Sequence, residues 1–160
     1  MNKTMKIALP IAGIVATLGI AFGVAYAFRE QNVEGKLEDL MHQVYEGIDK
    51  KELPMMLGNV EITDENIENF LGSKDIDFKE ALASESGVGS IAHSVVLIRA
   101  NEDQDIEELK EAVEESANPA KWICVTAEEV EVENNGDLVI LIMTEEEKAD
   151  IISENFANLK

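Results

Sequence analysis

Between Ile7 and Phe28 the chain carries 22 consecutive residues without a charged side chain. A helix of that length is about 33 Å long, against a hydrocarbon core of about 30 Å. Backbone in hydrocarbon must satisfy its own hydrogen bonds, so the segment predicts a membrane-spanning helix. Pro10 falls near its first turn, where a missing N–H costs little. Residues 1–28 are therefore read as an N-terminal membrane anchor. The alternative is a cleaved secretory signal, with Lys3 and Lys6 as its basic start and Ala25-Tyr26-Ala27 as a small-x-small site, which would release the domain near Ala27. The apolar run exceeds the usual signal core of about 7–15 residues, which favours the anchor. Lys3 and Lys6 precede the segment and should stay cytoplasmic, so the rest of the chain is expected on the extracytoplasmic side. Only Gly19 and Gly23 stand four apart, a weak basis for helix pairing, so the oligomeric state stays open.

All 33 acidic residues lie beyond Phe28, against 11 of the 13 Lys and Arg, a net charge of −22 for that part. A field of that sign repels nucleic acid and anionic lipid head groups. Nucleic-acid binding is excluded as a primary role, while solubility, cation association or a basic partner is favoured. Cys124 is the single cysteine, so no intramolecular disulfide forms.

Residues 29–55 read as an amphipathic juxtamembrane helix. Val33, Leu37, Leu40, Met41, Val44 and Ile48 recur at helical spacing from about Glu30 to Lys50, and Pro54 closes the region. The stripe is expected to pack on the domain. Residues 56–160 read as an acidic α+β globular domain. Val60-Glu61-Ile62 suggests a short strand; Thr63 suggests an N-cap for a helix with Ile67, Phe70 and Leu71 on one face and Gly72 past its end. Phe78 to Ala83 reads as a short helical piece, followed by a Ser/Gly-rich loop from Ser84 to Ser90. Val95-Val96-Leu97-Ile98 predicts a strand buried on both faces. Asp103 to Ala117 predicts a helix ended by Asn118-Pro119. Val130 and Val132 alternate with acids, as in a half-exposed strand. Asn135-Gly136 suggests a type I′ turn into the central strand Leu138 to Met143. Thr144 with Glu147 matches a capping box for a last helix with Ala149, Ile152, Phe156 and Leu159 inward. The expected architecture is a small, mostly antiparallel sheet covered by helices on one face.

Three stretches carry a resemblance: SIAHSVVLIRA, NPAKWICV and GDLVILIM, set behind an apolar N-terminal segment. In that order they resemble uncharacterised envelope-associated proteins of Gram-positive bacteria, the domain of unknown function 4358 family, over about residues 60 to 144. The resemblance implies an anchored extracytoplasmic domain and transfers no activity and no site residue.

Catalytic candidates are sparse. A nucleophile needs a base in contact, and the available set is Cys124 with His93 or His42. Cys124 lies in the apolar run Trp122-Ile123-Cys124-Val125, which reads as a buried, inert thiol, and His93 reads as a hydrogen-bonded structural residue. Gly87-Val88-Gly89 lacks the third glycine and the following helix of a phosphate loop. Asn101, Asp103 and Asp105 have the alternating oxygen spacing that opens a calcium loop. Its sixth and twelfth positions, Ile106 and Ala112, cannot complete it, so these three are weak metal candidates and otherwise the start of a helix. Met55-Met56 reads as core. No cofactor is indicated. The sequence therefore points to a non-enzymatic, membrane-anchored binding or structural module held through residues 7–28 and acting on an envelope protein it does not specify. A weak divalent-cation binder and a cysteine-dependent enzyme are the alternatives.

Overall fold

The computed structural model describes residues 32–160, so the predicted anchor, its cleavage site and the Gly19/Gly23 pair lie outside the described residues. Four helices and five strands follow in order: α1 (Leu37–Val44), β1 (Leu57–Glu61), α2 (Ile67–Leu71), β2 (Glu80–Ser86), β3 (Ser94–Arg99), α3 (Ile106–Ser116), β4 (Glu129–Asn135), β5 (Leu138–Thr144) and α4 (Glu146–Ala157). The strands form one sheet in the order β1-β2-β3-β5-β4. Every neighbouring pair is antiparallel. No helix among the described residues is long and apolar enough to cross a membrane.

Strands β3 and β5 are the reason the sheet forms. Both are buried along their whole length, with Val96 opposite Leu141 and Ile98 opposite Val139. Burying one Leu, Ile or Val side chain is worth about 1.5–3 kcal/mol, and two such strands can only be covered from both sides. The helices accordingly split, which corrects the expectation of helices on one face. Val95, Leu97, Ile140 and Ile142 face α1 and α4, meeting Leu40, Val44, Ile152 and Phe156. Val96, Ile98, Leu141 and Met143 face the side of α2 and α3, meeting Leu71, Leu109, Val113 and Trp122.

The amphipathic helix is shorter than its stripe suggested. The helix runs only from Leu37 to Val44, yet Val33 and Ile48 beyond its ends remain buried in the same core. Residues 32–55 join the sheet in one compact unit. Asn155 of α4 ties the two helices of this layer, donating to the carbonyls of Val44 (3.0 Å) and Glu46 (2.8 Å).

The largest correction concerns β2. Phe78 to Ala83 is not helical; Glu80–Ser86 is a strand between β1 and β3, and only residues after Ser86 form the loop. Ala81, Ala83 and Ser84 are helix-tolerant or neutral by themselves, but their small side chains fit a crowded sheet interior and β3 supplies a ladder for them. The α2 unit starts later than expected, at Ile67 with Asn66 as the cap residue, one turn after Thr63. Gly72 ends it as predicted, at φ 77. A Cβ there would lie 2.0 Å from the Ser116 carbonyl oxygen, so glycine is required twice over. The β4–β5 turn slips by one residue. Asn135 pairs with Leu138, leaving Gly136 (φ 60) and Asp137 as the two-residue loop, which fits a type II′ turn instead of type I′. Thr144 ends β5, and the cap position of α4 is Glu145 without a side-chain bond, so the capping box is not formed.

Candidate interaction surface

One end of the sheet gathers the entry to β1, the β2–β3 loop, the α3–β4 connection and the β5–α4 junction, as the antiparallel register requires. Here Met55, Met56 and Ile123 are 71%, 74% and 70% exposed. This corrects two expectations, that Met55-Met56 is core and that Cys124 is a buried thiol. Cys124 is exposed as well. Trp122 is buried in the core and Val125, half-buried, packs against the same cluster. A short apolar run has no periodicity to separate a buried strand from a surface loop, and Asn118-Pro119 upstream leaves these residues outside the ladder.

The loop Gly87-Val88-Gly89 organises the patch. The Gly87 N–H donates to the Met56 carbonyl at 3.1 Å, and the Ile123 N–H donates to the Gly89 carbonyl at 2.8 Å. The Met56 side chain lies against Gly87 and the Ile123 side chain against Gly89. Ser86 braces the same region, its hydroxyl donating to the Met55 carbonyl at 2.8 Å and accepting from the Val88 N–H at 3.1 Å. Met56 (φ 56) and Cys124 (φ 63) are the two non-glycine residues of positive φ among the described residues, and both fall in this patch. Left-handed backbone costs an ordinary residue about 1–2 kcal/mol, and such positions persist where the surroundings hold them.

Behind the patch sits His93, 1% exposed. Its Nε2 is 2.8 Å from the Tyr45 hydroxyl and its Nδ1 is 2.7 Å from the Thr144 hydroxyl. One ring nitrogen donates and the other accepts. Burial pushes the imidazole down to about 4, with Lys148 adding to the shift and Glu145 opposing it. Burial likewise drives the Tyr45 phenol well above its ordinary value, with Ser84 partly offsetting. A hollow of about 280 Å³ opens beside this group, lined by Pro54, Ile91, His93, Thr144, Glu145 and Lys148, the last two ion-paired.

Both nitrogens of His93 are taken up by the hydroxyls of Tyr45 and Thr144. His42 is exposed on α1. Cys124 lies on the open patch, so a thiol reagent is expected to modify it in the folded protein as fast as in an unfolded control. Mass spectrometry of timed labelling with and without urea checks this; a reaction needing urea would contradict the exposed placement. The metal candidates are divided. Asp105 caps α3, its carboxylate accepting from the N–H groups of Glu107 (2.9 Å) and Glu108 (3.2 Å). The Asn101 N–H is bound by Gln104 at 3.0 Å, and Asp103 is exposed. Among the described residues no group of three or more His, Cys, Asp or Glu side chains is placed to hold a metal.

A larger hollow of about 600 Å³ lies between α2 and the end of α3, with Phe70, Glu85, Lys121 and Trp122 in its wall. Lys121 is locked there, 2.6 Å from Glu85 and over both the Phe70 and Trp122 rings at 5.3 and 5.1 Å. The opposite end of the sheet holds a cluster that sequence reading did not single out. Arg99, at the end of β3, donates from Nε to Glu80 (2.8 Å), from Nη1 to the Val33 carbonyl (2.7 Å) and Asp137 (3.2 Å), and from Nη2 to the Gly35 carbonyl (2.9 Å). The available signal was a lone cation closing the apolar run Val95–Ile98.

No protein-family model, curated protein or solved structure matches the chain.

Proposed function

We propose that this protein is a membrane-held binding module whose acidic domain acts outside the cytoplasm. The observation that carries the binding part is the clustering of Met55, Met56 and Ile123, each about 70% exposed or more, on one loop-built end of the sheet. Exposed apolar side chains brought together on a surface, with strained backbone maintained beneath them, are what a partner site requires. The tether is supported by the uncharged segment Ile7–Phe28, its orientation by Lys3 and Lys6, and the setting by the likeness of the element order to envelope-associated proteins. No cofactor enters this reading, and the partner is an envelope protein.

The test is photo-crosslinking in native membranes, with a photoreactive residue at position 56 or 123 and controls at the exposed positions 65 and 103. A discrete adduct from 56 and 123, absent from the controls, is expected in the membrane fraction. Adducts that form equally from all four positions, or none from 56 and 123, overturn the proposal, as does recovery of the intact chain in the soluble fraction.

A further inference from the structure

The two edges of the sheet are built differently. The β4 edge carries Glu129, Glu131 and Glu133, charges of the kind that keep an edge strand from pairing. The β1 edge carries one such charge, Glu61 at its last residue. From Leu53 to Val60 the chain carries no charged residue. Pro54 lies ahead of the strand, and Gly58, Asn59, Val60 and Glu61 are exposed.

The register shows which backbone groups of β1 are open. Ile62 donates to the Ala81 carbonyl at 3.0 Å and Gly87 donates to the Met56 carbonyl at 3.1 Å. In an antiparallel ladder these bonded pairs recur at every second residue, so 56, 58, 60 and 62 face β2 while 57, 59 and 61 turn outward. The Glu61 carbonyl is taken by the Asn66 side chain at 2.9 Å. Leu57 and Asn59 thus present their N–H and C=O groups to the open side. Directly beside them, between α1 and β1, runs a hollow of about 320 Å³ lined by Met41, Tyr45, Leu53, Leu57, Asn59 and Ser84.

We infer that β1 accepts an extended, cationic segment of a protein partner as a sixth strand, paired to the main chain of Leu57 and Asn59, with one apolar side chain in the hollow beside α1. Strand addition draws affinity from main-chain bonds and specificity from pockets for alternate side chains, and both parts are present here. Charge selects the occupant. The chain beyond Phe28 has a net charge of −22, so a second copy is repelled and a basic segment is attracted. The inference rests on the binding-module reading and names the partner's chemistry.

Residue-resolved hydrogen exchange on the full chain tests it, using an octapeptide that alternates Lys and Val as the probe and its Glu/Val counterpart as control. At saturating Lys/Val peptide the Leu57 and Asn59 amides should slow at least tenfold, with no change for the Glu/Val peptide. Asn59→Pro removes an outward N–H and leaves the β2 ladder intact, so it should abolish the effect while Gly58 and Val60 stay protected; Asn59→Ala should retain it. If Asn59→Pro disturbs the ladder, Leu57→Lys, which sets a cation at the hollow, should block the peptide equally. Unchanged exchange, or slowing that survives both Asn59→Pro and Leu57→Lys, overturns the inference. Slowing without peptide that grows with protein concentration also overturns it, because a second copy would then be the occupant. An unprotected edge together with discrete crosslinks from positions 56 and 123 would remove this inference and leave the binding module standing.

Discussion

Arg99→Ala is expected to destabilise the domain by about 3–5 kcal/mol, the scale of breaking a buried ion pair from one side. The side chain is 8% exposed. Removing it leaves Asp137 without its cation and takes the guanidinium donors from the carbonyls of Val33 and Gly35 in the strap that leads into α1. Domain stabilities are about 5–15 kcal/mol, so the variant should sit near the folding threshold. Urea unfolding followed by circular dichroism measures the loss. Arg99→Lys should recover little of it, because an ammonium cannot span the fork formed by Glu80, Asp137 and the two carbonyls. Arg99→Met combined with Asp137→Asn should recover more than Arg99→Met alone, since the amide removes the stranded charge while its oxygen still accepts the Val33 N–H, now at 3.2 Å. Equal stability of Arg99→Ala and the wild type would show that the cluster contributes nothing.

The second large effect is a dependence of stability on pH that resides in His93. The imidazole titrates at about 4 in the fold, against about 6.5 when the chain is unfolded. Between those values the unfolded chain binds the extra proton, so stability rises with pH. The contribution is fully present above 6.5 and is lost as pH falls to 4, a difference of about 3 kcal/mol. Glu131 works in the opposite sense. Burial and its neighbours Glu133, Asp150 and Glu129 raise its carboxyl, so ionising it as pH rises weakens the fold. Urea midpoints at pH 7, 5.5 and 4.5 should therefore fall for the wild type more steeply than for His93→Gln. Gln keeps hydrogen-bonding partners for Tyr45 and Thr144 but does not titrate. Parallel pH profiles for the two proteins would rule out His93 as the source.

Much of the fold was legible because apolar patterning acts locally. The faces of α1 and α4, the buried strands β3 and β5, the edge strand β4 and the Gly72 terminus all follow from residue spacing or from one backbone requirement. Phe78–Ala83 was not legible, because small residues suit a helix or a packed strand and only β1 and β3 on either side decide between them. The Asn135 turn slipped because a one-residue shift leaves Gly136 as the one loop residue of positive φ and spares Asn135 the left-handed backbone that a type I′ turn would impose. The interaction surface was the least legible part. Met55, Met56, Ile123 and Cys124 are residues of core type, and their exposure comes from loops placed against Gly87 and Gly89.

The sequence by itself determined the class of the domain, its charge, the inward faces of its helices and the uncharged segment that precedes it, since each is a property of composition or of spacing along one element. Only the tertiary structure decided that helices cover both faces, that β1 is left as an edge open at Leu57 and Asn59, and that Arg99 clasps the strap before α1. Those features depend on which strands become neighbours. Hydrogen-bond partners and burial are set by contacts between residues far apart in the chain, and no local pattern encodes them.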